Sequence, residues 1–307
     1  MEWEKELKAN FSKEVLKTSV KMSQCTTLRL GGKAQYFLEV HSEKELALAL
    51  SIVNKANIPY YLLGKGSNVL VSDNELYGLV IHLGSQWSNI STPINLDKNT
   101  YQFTAQAGAS LSKVANFAIA HSLSGMGFAH GIPGTVGGAV YMNAGAYGGE
   151  MKQVVTHVKA ISATGEICNF SKEMLELGYR SSVFSKQSPQ MCITEVTFTL
   201  STGNKEELLE EINVLANKRK TSQPLNLPSC GSTFKRPTGY FAGTLIDECG
   251  LKGFRVGGCS VSVKHAGFLV NDQQGTATDY LLLIKEVQNR VEQEKGVLLQ
   301  PEVKIWS

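Results

Sequence analysis

A glycine-rich stretch from His130 to Glu150, HGIPGTVGGAVYMNAGAYGGE, constrains the fold of this chain more than any other feature. Seven of its residues are glycine, and because we identify no helical repeat among its apolar residues, we predict that it is not helical. Glycine tolerates positive φ and lets a ligand approach the main chain without meeting a Cβ. Successive N–H groups can then converge on an anion such as a pyrophosphate. The alternative is a series of tight turns between short strands.

A second glycine-containing segment, GKGSN at residues 64–68, lies between the apolar runs YYLL and VLV. It is therefore predicted to connect strand to strand. A Rossmann loop needs a third glycine or alanine where Val69 stands and a helix after it, and no GxxxxGK[ST] phosphate loop is present either. The segment still offers backbone donors, the Ser67 hydroxyl and the Asn68 amide to phosphate oxygens. A simple β turn is the alternative.

Composition excludes several classes of protein. The 307 residues are 42% hydrophobic, which is enough for roughly two or three domains. A net charge of +3 gives no field for a polyanion, so nucleic acid is not an expected partner. No signal-peptide core or membrane-spanning run is found, and we expect a cytoplasmic monomer without membrane insertion. The six cysteines lack metal-ligand spacing, so free thiols and no metal are expected.

Hydrophobic periodicity predicts a mixture of helices and strands. Residues 42–57 are predicted to form an amphipathic helix, whose first residue makes a capping box with Glu45. A second helix is predicted over residues 110–121. The polar residues 201–205 precede a charged helix, which indicates a domain boundary. Residues 297–306 are predicted to form a terminal strand.

Three polar residues stand in contexts that suggest chemistry, although no GxSxG, HExxH or glycosidase-like carboxylate pair is present. Ser232 follows a glycine in PSCGSTFKRP and can donate a proton if a neighbour assists it; otherwise it is a turn residue. Glu302 lies among apolar residues, where an acid must be paired, protonated or solvent-facing. Arg180, in YRSSVF, could equally be a surface ion-pair partner.

Six segments follow one another in an order that resembles a single family. They are TTLRLGGKAQYF, LGKGSNVLVSD, HGIPGTVGGAVYMNAGAYGGE, YRSSVF, PSCGSTFKRP and QPEVKIW, and they run from about residue 22 to the end. The chain resembles the UDP-N-acetylenolpyruvoylglucosamine reductases, flavoenzymes of peptidoglycan precursor synthesis. Within that family it is similar to the shorter variety, which lacks an inserted tyrosine-bearing loop.

The resemblance implies an α+β fold. An FAD-binding two-subdomain fold of the vanillyl-alcohol oxidase or PCMH type would be followed by a C-terminal α+β substrate-binding domain. The implied subdomains are residues 1–85, to which the C-terminal strand can return, and residues 86–203. The implied substrate-binding domain is residues 204–307.

The resemblance also implies noncovalent FAD, NADPH as the reductant and a UDP-sugar substrate. Hydride would reach C3 of the enolpyruvyl group while Arg180 polarises its carboxylate. Ser232 would protonate C2, and Glu302 would hold a further proton or orient the intermediate. The implied cofactor contacts are Gly64, Lys65, Gly66, Ser67, Asn68, His130, Gly131, Ile132, Pro133, Gly134, Thr135, Gly137, Gly138, Asn143, Gly145 and Ala146. The implied substrate contacts are Tyr179, Arg219, Lys235 and Arg236, because cationic side chains bind diphosphate and carboxylate groups.

Two other functions stay open. A flavin oxidase of the same fold, acting with oxygen on an alcohol or lactone, would share the glycine-rich segments but gives no reason for Ser232 and Glu302. A non-catalytic nucleotide-binding module is the other alternative. The chain departs from the family's GLEFA-like pattern at Gly127, and His130 is expected to contact the flavin without tethering it.

Overall fold

The computed structural model describes residues 1–84 and 86–307. Its α-helices are α1 Glu2–Asn10, α2 Glu43–Lys55, α3 Leu111–Ala120, α4 Val136–Tyr141, α5 Met151–Val154, α6 Val183–Lys186, α7 Lys205–Ser222, α8 Ala242–Glu248 and α9 Ala277–Lys295. Its strands are β1 Leu16–Lys21, β2 Lys33–Val40, β3 Tyr60–Leu63, β4 Val69–Val71, β5 Leu76–Leu83, β6 Ile94–Asp97, β7 Thr100–Gln106, β8 Leu123–Ser124, β9 Gly145–Ala146, β10 Gly149–Glu150, β11 Val155–Ile161, β12 Ile167–Ser171, β13 Cys192–Thr202, β14 Arg255–Val256, β15 Cys259–Val261, β16 Leu269–Asn271 and β17 Lys304–Trp306.

The described residues form two compact units, each assembled from separate stretches of the chain. Unit 1 comprises Met1–Thr18, Tyr36–Gly64 and Gly78–Asn217. Unit 2 comprises Ser19–Gln35, Lys65–Tyr77 and Lys218–Ser307. The division into three domains ending at residues 85, 203 and 307 stays a prediction, and residue 85 lies outside the described residues.

One layer of unit 1 is a four-stranded sheet in the order β1-β2-β5-β3, some of whose strands extend beyond the unit. The helix predicted over residues 42–57 is α2. Its N-cap is confirmed, because the Ser42 hydroxyl accepts the N–H of Glu45 at 3.2 Å. The reciprocal half of the capping box is wrong: the Glu45 carboxylate accepts at 2.7 Å from the N–H of His41, one residue before the cap. Both contacts satisfy backbone donors at the start of the helix.

The second sheet of unit 1 has the strand order β12-β11-β13-β7-β6, with β8 also pairing with β13. The long strand β13 lies between β11 and β7, antiparallel to both. On this sheet the rings of Phe103 and Phe198 stack with centroids 5.3 Å apart. The helix predicted over residues 110–121 is α3, and its buried residues Leu111, Val114, Ala115 and Ala118 join the same core.

The glycine-rich stretch contains a helix, so the prediction that it is not helical is wrong. The helix is α4, whose residues Val136, Ala139 and Val140 are all buried. Their i, i+3, i+4 spacing makes an apolar face, and its burial outweighs the low helix propensity of Gly137 and Gly138, about 1 kcal/mol each. Beyond this helix, β9 and β10 form a tight antiparallel hairpin.

Unit 2 contains a three-stranded antiparallel sheet, β14-β15-β16, and a parallel pair of β4 with β17. The long helix α9 packs Tyr280, Ile284 and Val287 into the core of this unit. The carboxylate of Asp73 accepts the N–H groups of Ala277 and Thr278 at 2.8 and 2.9 Å. A side chain from the loop after β4 thereby satisfies the first turn of α9.

The terminal strand is shorter than predicted. Only Lys304–Trp306 form β17, whereas strand character was expected from residue 297 onward. Pro301 has no N–H to give to a ladder, and Glu302 bonds to another segment of unit 2 before β17 begins. Among the described residues, no helix is long and apolar enough to cross a membrane.

Candidate active site

The two glycine-containing segments approach each other within unit 1. Gly64 follows the last residue of β3, and Thr135 caps α4. A Cβ built on Gly64 would lie 2.6 Å from Oγ1 of Thr135, which is far inside van der Waals contact. Glycine at this position therefore gives the space that the close approach needs. The two segments that are predicted to contact the cofactor thus pack against each other at this point.

Several glycines of the stretch donate their N–H groups to other atoms of the protein. The N–H of Gly134 donates to the carbonyl oxygen two residues back, at 3.0 Å, and that of Gly137 donates to Ala107 at 2.9 Å. The N–H of Gly138 donates to the Thr135 hydroxyl at 3.3 Å. A Cβ on Gly137 would also lie 2.9 Å from the Cβ of Ala107. The N–H groups of these three residues are therefore not available to a converging anion nest.

Asn143, which the resemblance implies as a cofactor contact, is 1% exposed, and its side chain bonds to the protein itself. Its Nδ2 donates to the carbonyl of Gly178 at 2.9 Å and to the carboxylate of Glu150 at 3.1 Å. Its Oδ1 accepts the N–H of Lys152 at 2.9 Å. The residue adopts φ of 42°, a left-handed conformation that asparagine tolerates better than most residues. Asn143 thus joins the glycine hairpin to the turn that begins at Gly178.

That turn carries Arg180. Gly178 and Ser181 form an isolated antiparallel bridge, and Arg180 between them has φ of 51°. Nη2 of Arg180 donates to the carbonyl of Gly145 at 3.4 Å, and its guanidinium lies 5.3 Å from the ring centroid of Tyr179, which is 53% exposed. Left-handed backbone in a non-glycine residue is strained and often occurs at functional sites. The predicted catalytic arginine therefore lies against the glycine hairpin of unit 1.

Ser232 and Glu302 lie on neighbouring backbone segments in unit 2. The N–H of Glu302 donates to the carbonyl of Thr233 at 2.8 Å, and the N–H of Lys235 donates to the carbonyl of Gln300 at 2.8 Å. Ser232 is exposed and Glu302 is half-buried. Two residues that were predicted from separate motifs are thus brought side by side by backbone pairing.

Asn68, the last residue of the GKGSN segment, contacts the backbone around Glu302 in unit 2. Nδ2 of Asn68 donates to the carbonyl of Glu302 at 3.4 Å. The carbonyl of Asn68 accepts the N–H of Lys304 at 3.0 Å, where β4 and β17 pair. Asn68, predicted as a cofactor contact, therefore also holds the backbone around Glu302.

Lys304 adds a charge that the sequence reasoning missed. Burial lowers its pKa, the positive charge of Lys235 lowers that pKa further, and the negative charge of Glu302 opposes both effects. Two ammonium groups and a carboxylate are thus near one another in unit 2. The signal in the sequence was the i, i+2 spacing of Glu302 and Lys304 in an extended segment, which puts both side chains on one face.

The other predicted substrate contacts differ in exposure. Arg219 is only 9% exposed, whereas Arg236 is exposed. Nε of Arg236 donates to the carbonyl of Tyr240 at 3.3 Å, and the guanidinium lies 3.9 Å from the ring centroid of Phe241. Such stacking holds the planar cation in place. Arg236 is the better exposed of these two cations for contact with a ligand.

Comparison with known proteins identifies the family. Residues 34–171 match the FAD binding domain family, and residues 223–306 match the UDP-N-acetylenolpyruvoylglucosamine reductase C-terminal domain family. The UDP-N-acetylenolpyruvoylglucosamine reductase of Exiguobacterium sibiricum is 44% identical over 96% of this chain and 94% of its own length. That of Staphylococcus carnosus is 42% identical over 98% of this chain and 95% of its own length.

The chain belongs to the UDP-N-acetylenolpyruvoylglucosamine reductase family. The crystal structure of this reductase from Thermus caldophilus superposes with a TM-score of 0.78 at 35% identity, covering 94% of this chain and 98% of that one. The chain is therefore an FAD-binding oxidoreductase that acts in peptidoglycan precursor synthesis. The predicted fold class, an FAD-binding domain followed by the C-terminal domain of the family, is confirmed.

A more distant structure shares part of the fold. The glucose dehydrogenase Phl p 4.0202 superposes with a TM-score of 0.50 at 14% identity, covering 67% of this chain and 45% of that one. At this identity only the fold is comparable.

At Gly127, where the chain departs from the family pattern, the neighbouring group is a carboxylate. A Cβ on Gly127 would lie 2.3 Å from Oε1 of Glu211, which is carried by α7. The carboxylate of Glu211 therefore occupies the space where a side chain at residue 127 would begin. A side chain at residue 127 would require this flexible carboxylate to rotate away, and no local pattern around Gly127 indicated that partner.

Proposed function

We propose that this reductase uses NADPH to convert UDP-N-acetyl-3-O-(1-carboxyvinyl)-glucosamine into UDP-N-acetylmuramate in the cytoplasm, through noncovalently bound FAD. Family membership supports the reaction class. One observation carries the assignment of its proton donor. The N–H of Glu302 donates to the carbonyl of Thr233, the residue after Ser232, so the two residues lie on adjacent backbone segments.

The segments around Gly64 and Thr135 would hold the dinucleotide cofactor, and glycine at residue 64 lets these two segments lie close together. When bound, FAD supplies a hydride, received from NADPH, to C3 of the enolpyruvyl group. The residues that would hold FAD are Gly64, Lys65, Gly66, Ser67, Asn68, His130, Gly131, Ile132, Pro133, Gly134, Thr135, Gly137, Gly138, Asn143, Gly145 and Ala146. Because the N–H groups of Gly134, Gly137 and Gly138 bond inside the protein, these three glycines would contact FAD by close approach of the main chain and not by donating to it.

Arg180 would stabilise the charge that develops at C2 and spreads into the neighbouring carboxylate of the substrate. A guanidinium is cationic at any physiological pH and can bind a carboxylate through two N–H groups. Such stabilisation is most effective when the cation is held in place before the reaction. The contact of Arg180 with Gly145 and the Asn143 bond to Gly178 support a preorganised guanidinium.

Ser232 would transfer its hydroxyl proton to C2, which completes the lactyl ether and leaves an alkoxide that solvent must reprotonate. Nearby cations stabilise such an oxyanion, and Lys235 and Lys304 belong to the same charged group. Glu302 would orient the hydroxyl or hold the proton that restores it. The anionic groups of the UDP-sugar would bind Lys235, Arg236 and Arg219.

Anaerobic stopped-flow absorbance of the flavin tests the proposal, since it separates flavin reduction by NADPH from flavin reoxidation by the enolpyruvyl sugar. Ser232→Ala should leave reduction unchanged and slow reoxidation by roughly 10²- to 10⁴-fold, the contribution of a general acid. Ser229→Ala, a serine in the same segment, is the matched control and should leave both steps unchanged. Equal slowing of both steps in Ser232→Ala would remove the residue from the proton-donor role.

The same experiment separates the alternatives. A flavin oxidase would be reoxidised rapidly by oxygen and would not respond to the enolpyruvyl sugar. A non-catalytic nucleotide-binding module would show no reduction by NADPH. Either result would overturn the proposed reaction.

A further inference from the structure

A buried polar cluster lies beneath the segment that carries Ser232. The hydroxyl of Tyr280, on α9, is 3.1 Å from Sγ of Cys230 and 2.9 Å from Oγ1 of Thr233. Tyr280 and Thr233 are completely buried, and Cys230 nearly so. The Tyr280 hydroxyl also lies 3.4 Å from the carbonyl of Leu269, whose N–H donates to Oγ1 of Thr233 at 3.3 Å. Cys230 and Thr233 flank the serine at a distance of one or two residues, so the cluster holds its segment on both sides.

Thr233 connects this cluster to both proposed catalytic groups. It directly follows Ser232 in the chain, and its carbonyl accepts the N–H of Glu302 at 2.8 Å. Its own N–H donates to the carbonyl of Gly267 at 2.9 Å. Every polar atom of Thr233 therefore has a partner inside unit 2. Its side chain meets Tyr280 while its main chain holds Glu302.

The other neighbour of Ser232 is Gly231, which has no side chain to anchor it, so the side-chain contact on that side comes from Cys230. Gly231 has φ of 77°, and a Cβ built on it would meet nothing within 4 Å. Glycine in open space leaves the backbone free to rotate. The Tyr280 hydroxyl contacts side chains on both sides of Ser232, and Thr233, the direct neighbour of the serine, is the nearer anchor along the chain.

We propose that Tyr280 is a positioning residue for the proton transfer, and that its hydroxyl, through Thr233, fixes Ser232 and Glu302 relative to each other. The inference rests on the proposed roles of Ser232 and Glu302. Packing alone would accept phenylalanine at this position, and an apolar core would avoid the cost of burying three polar groups. The hydroxyl is explained by the geometry that it imposes on Thr233.

The cluster stays protonated at neutral pH. Burial raises the pKa of Tyr280 well above its usual value, and it raises the pKa of the Cys230 thiol to about 11. The anchoring contacts therefore do not titrate between pH 6 and 9. A loss of rate on removal of the Tyr280 hydroxyl should be the same across that range, whereas a change in a titrating catalytic group would shift the pH profile.

Half-reaction kinetics of the FAD-loaded enzyme test the inference. Tyr280→Phe should slow flavin reoxidation by the enolpyruvyl sugar about tenfold, because a small misplacement of a catalytic group suffices for such a loss. Flavin reduction by NADPH and the dissociation constant of the sugar should change less than about twofold. Tyr36→Phe is the matched control: it removes the hydroxyl of another buried tyrosine, in unit 1, and should leave both half-reactions unchanged.

Variants of Thr233 give an independent test at the same contact. Thr233→Val removes the hydroxyl and should slow reoxidation like Tyr280→Phe, whereas Thr233→Ser keeps it and should stay near the wild-type rate. The double variant of Thr233→Val and Tyr280→Phe should be no slower than the slower single variant, because both remove one contact. If Tyr280→Phe fails to fold, the comparison of valine with serine at residue 233 still decides the result.

Two results would overturn the inference. One is wild-type reoxidation in both Tyr280→Phe and Thr233→Val; the other is equal slowing of reduction and reoxidation, as expected for a purely structural role. If Ser232→Ala is slow while Tyr280→Phe is not, the inference fails alone. If Ser232→Ala itself reoxidises at the wild-type rate, the proposed proton donor is wrong and the inference fails with it.

Discussion

Replacement of Gly64 by alanine tests whether the close approach of the two glycine-containing segments sets the affinity for FAD. The added Cβ would lie 2.6 Å from Oγ1 of Thr135, whereas ordinary contact begins at 3.4 Å, so the two atoms must separate by about 0.8 Å. Gly64 does not have positive φ, so alanine causes no backbone strain of its own. The steric conflict with Thr135 is therefore the principal effect.

The magnitude follows from what Thr135 loses. If its hydroxyl rotates away, the N–H of Gly138 loses its cap, at a cost of about 1 kcal/mol. If the hydroxyl stays, overpacking costs about 1–3 kcal/mol. Because a tenfold change in affinity corresponds to about 1.4 kcal/mol, displacement of these segments should weaken FAD binding by roughly 10- to 100-fold.

The assay is titration of the FAD-free protein with FAD, followed by flavin fluorescence, together with urea unfolding of each variant. Thr135→Ala removes the clashing atom, so Gly64→Ala should cost less than about 0.5 kcal/mol in that background, which gives a coupling energy of about 1–3 kcal/mol. Ser42→Ala is the matched control, because it removes a helix cap at α2 and should leave FAD affinity unchanged. An equal loss of FAD affinity in both Thr135 backgrounds would refute the reasoning.

Three further predictions concern single side chains. Asn143→Asp puts an acceptor where the amide now donates, so the free energy of unfolding should fall by about 1–3 kcal/mol. The KM for the sugar should also rise, because the turn that carries Arg180 loosens. An unchanged midpoint of urea unfolding would contradict this prediction. Hydrogen bonds from Arg255 lower the pKa of Asp272, so the ion pair stabilises the fold above the unfolded pKa and is lost as the pH falls through the folded one. Asp272→Asn should therefore lower the free energy of unfolding in urea by about 1 kcal/mol at pH 7. The difference between variant and wild type should shrink below about pH 4. A difference that stays constant down to acid pH would contradict the assignment. The Cys230 thiol is buried and its pKa is about 11, so it should resist iodoacetamide at pH 8 until urea unfolds the protein. Mass mapping of alkylated peptides measures this. Labelling of the native protein at the rate of an exposed thiol would contradict the prediction.

Much of the local structure could be predicted from the chain. The start of α2 was predictable because the Ser42 cap is a property of adjacent residues, and α3 was predictable from apolar spacing. The helix α4 was not predicted because its glycines have low helix propensity and its apolar face is short. Burial of that face in the folded protein stabilises the helix. The start of β17 was misplaced because the backbone of Glu302 bonds to Thr233, far away in sequence.

The candidate site divides in the same way. Arg180, Ser232 and Glu302 could be selected from motif context, since glycine neighbours and charged residues in apolar surroundings are visible in sequence. The hydrogen-bond partners of these side chains could not be predicted from the sequence. Whether a side chain hydrogen-bonds within its own protein, as that of Asn143 does, depends on which donors and acceptors meet after folding.

The sequence by itself determined the family, the cofactor class and the residue types available for chemistry, because six ordered motifs and their composition are properties of the chain. Only the tertiary structure decided that Glu302 pairs with the backbone beside Ser232, that Glu211 occupies the space at Gly127, and that Tyr280 anchors Thr233. The physical reason is that buried polar groups must find partners, and folding alone selects those partners among residues that are distant along the chain.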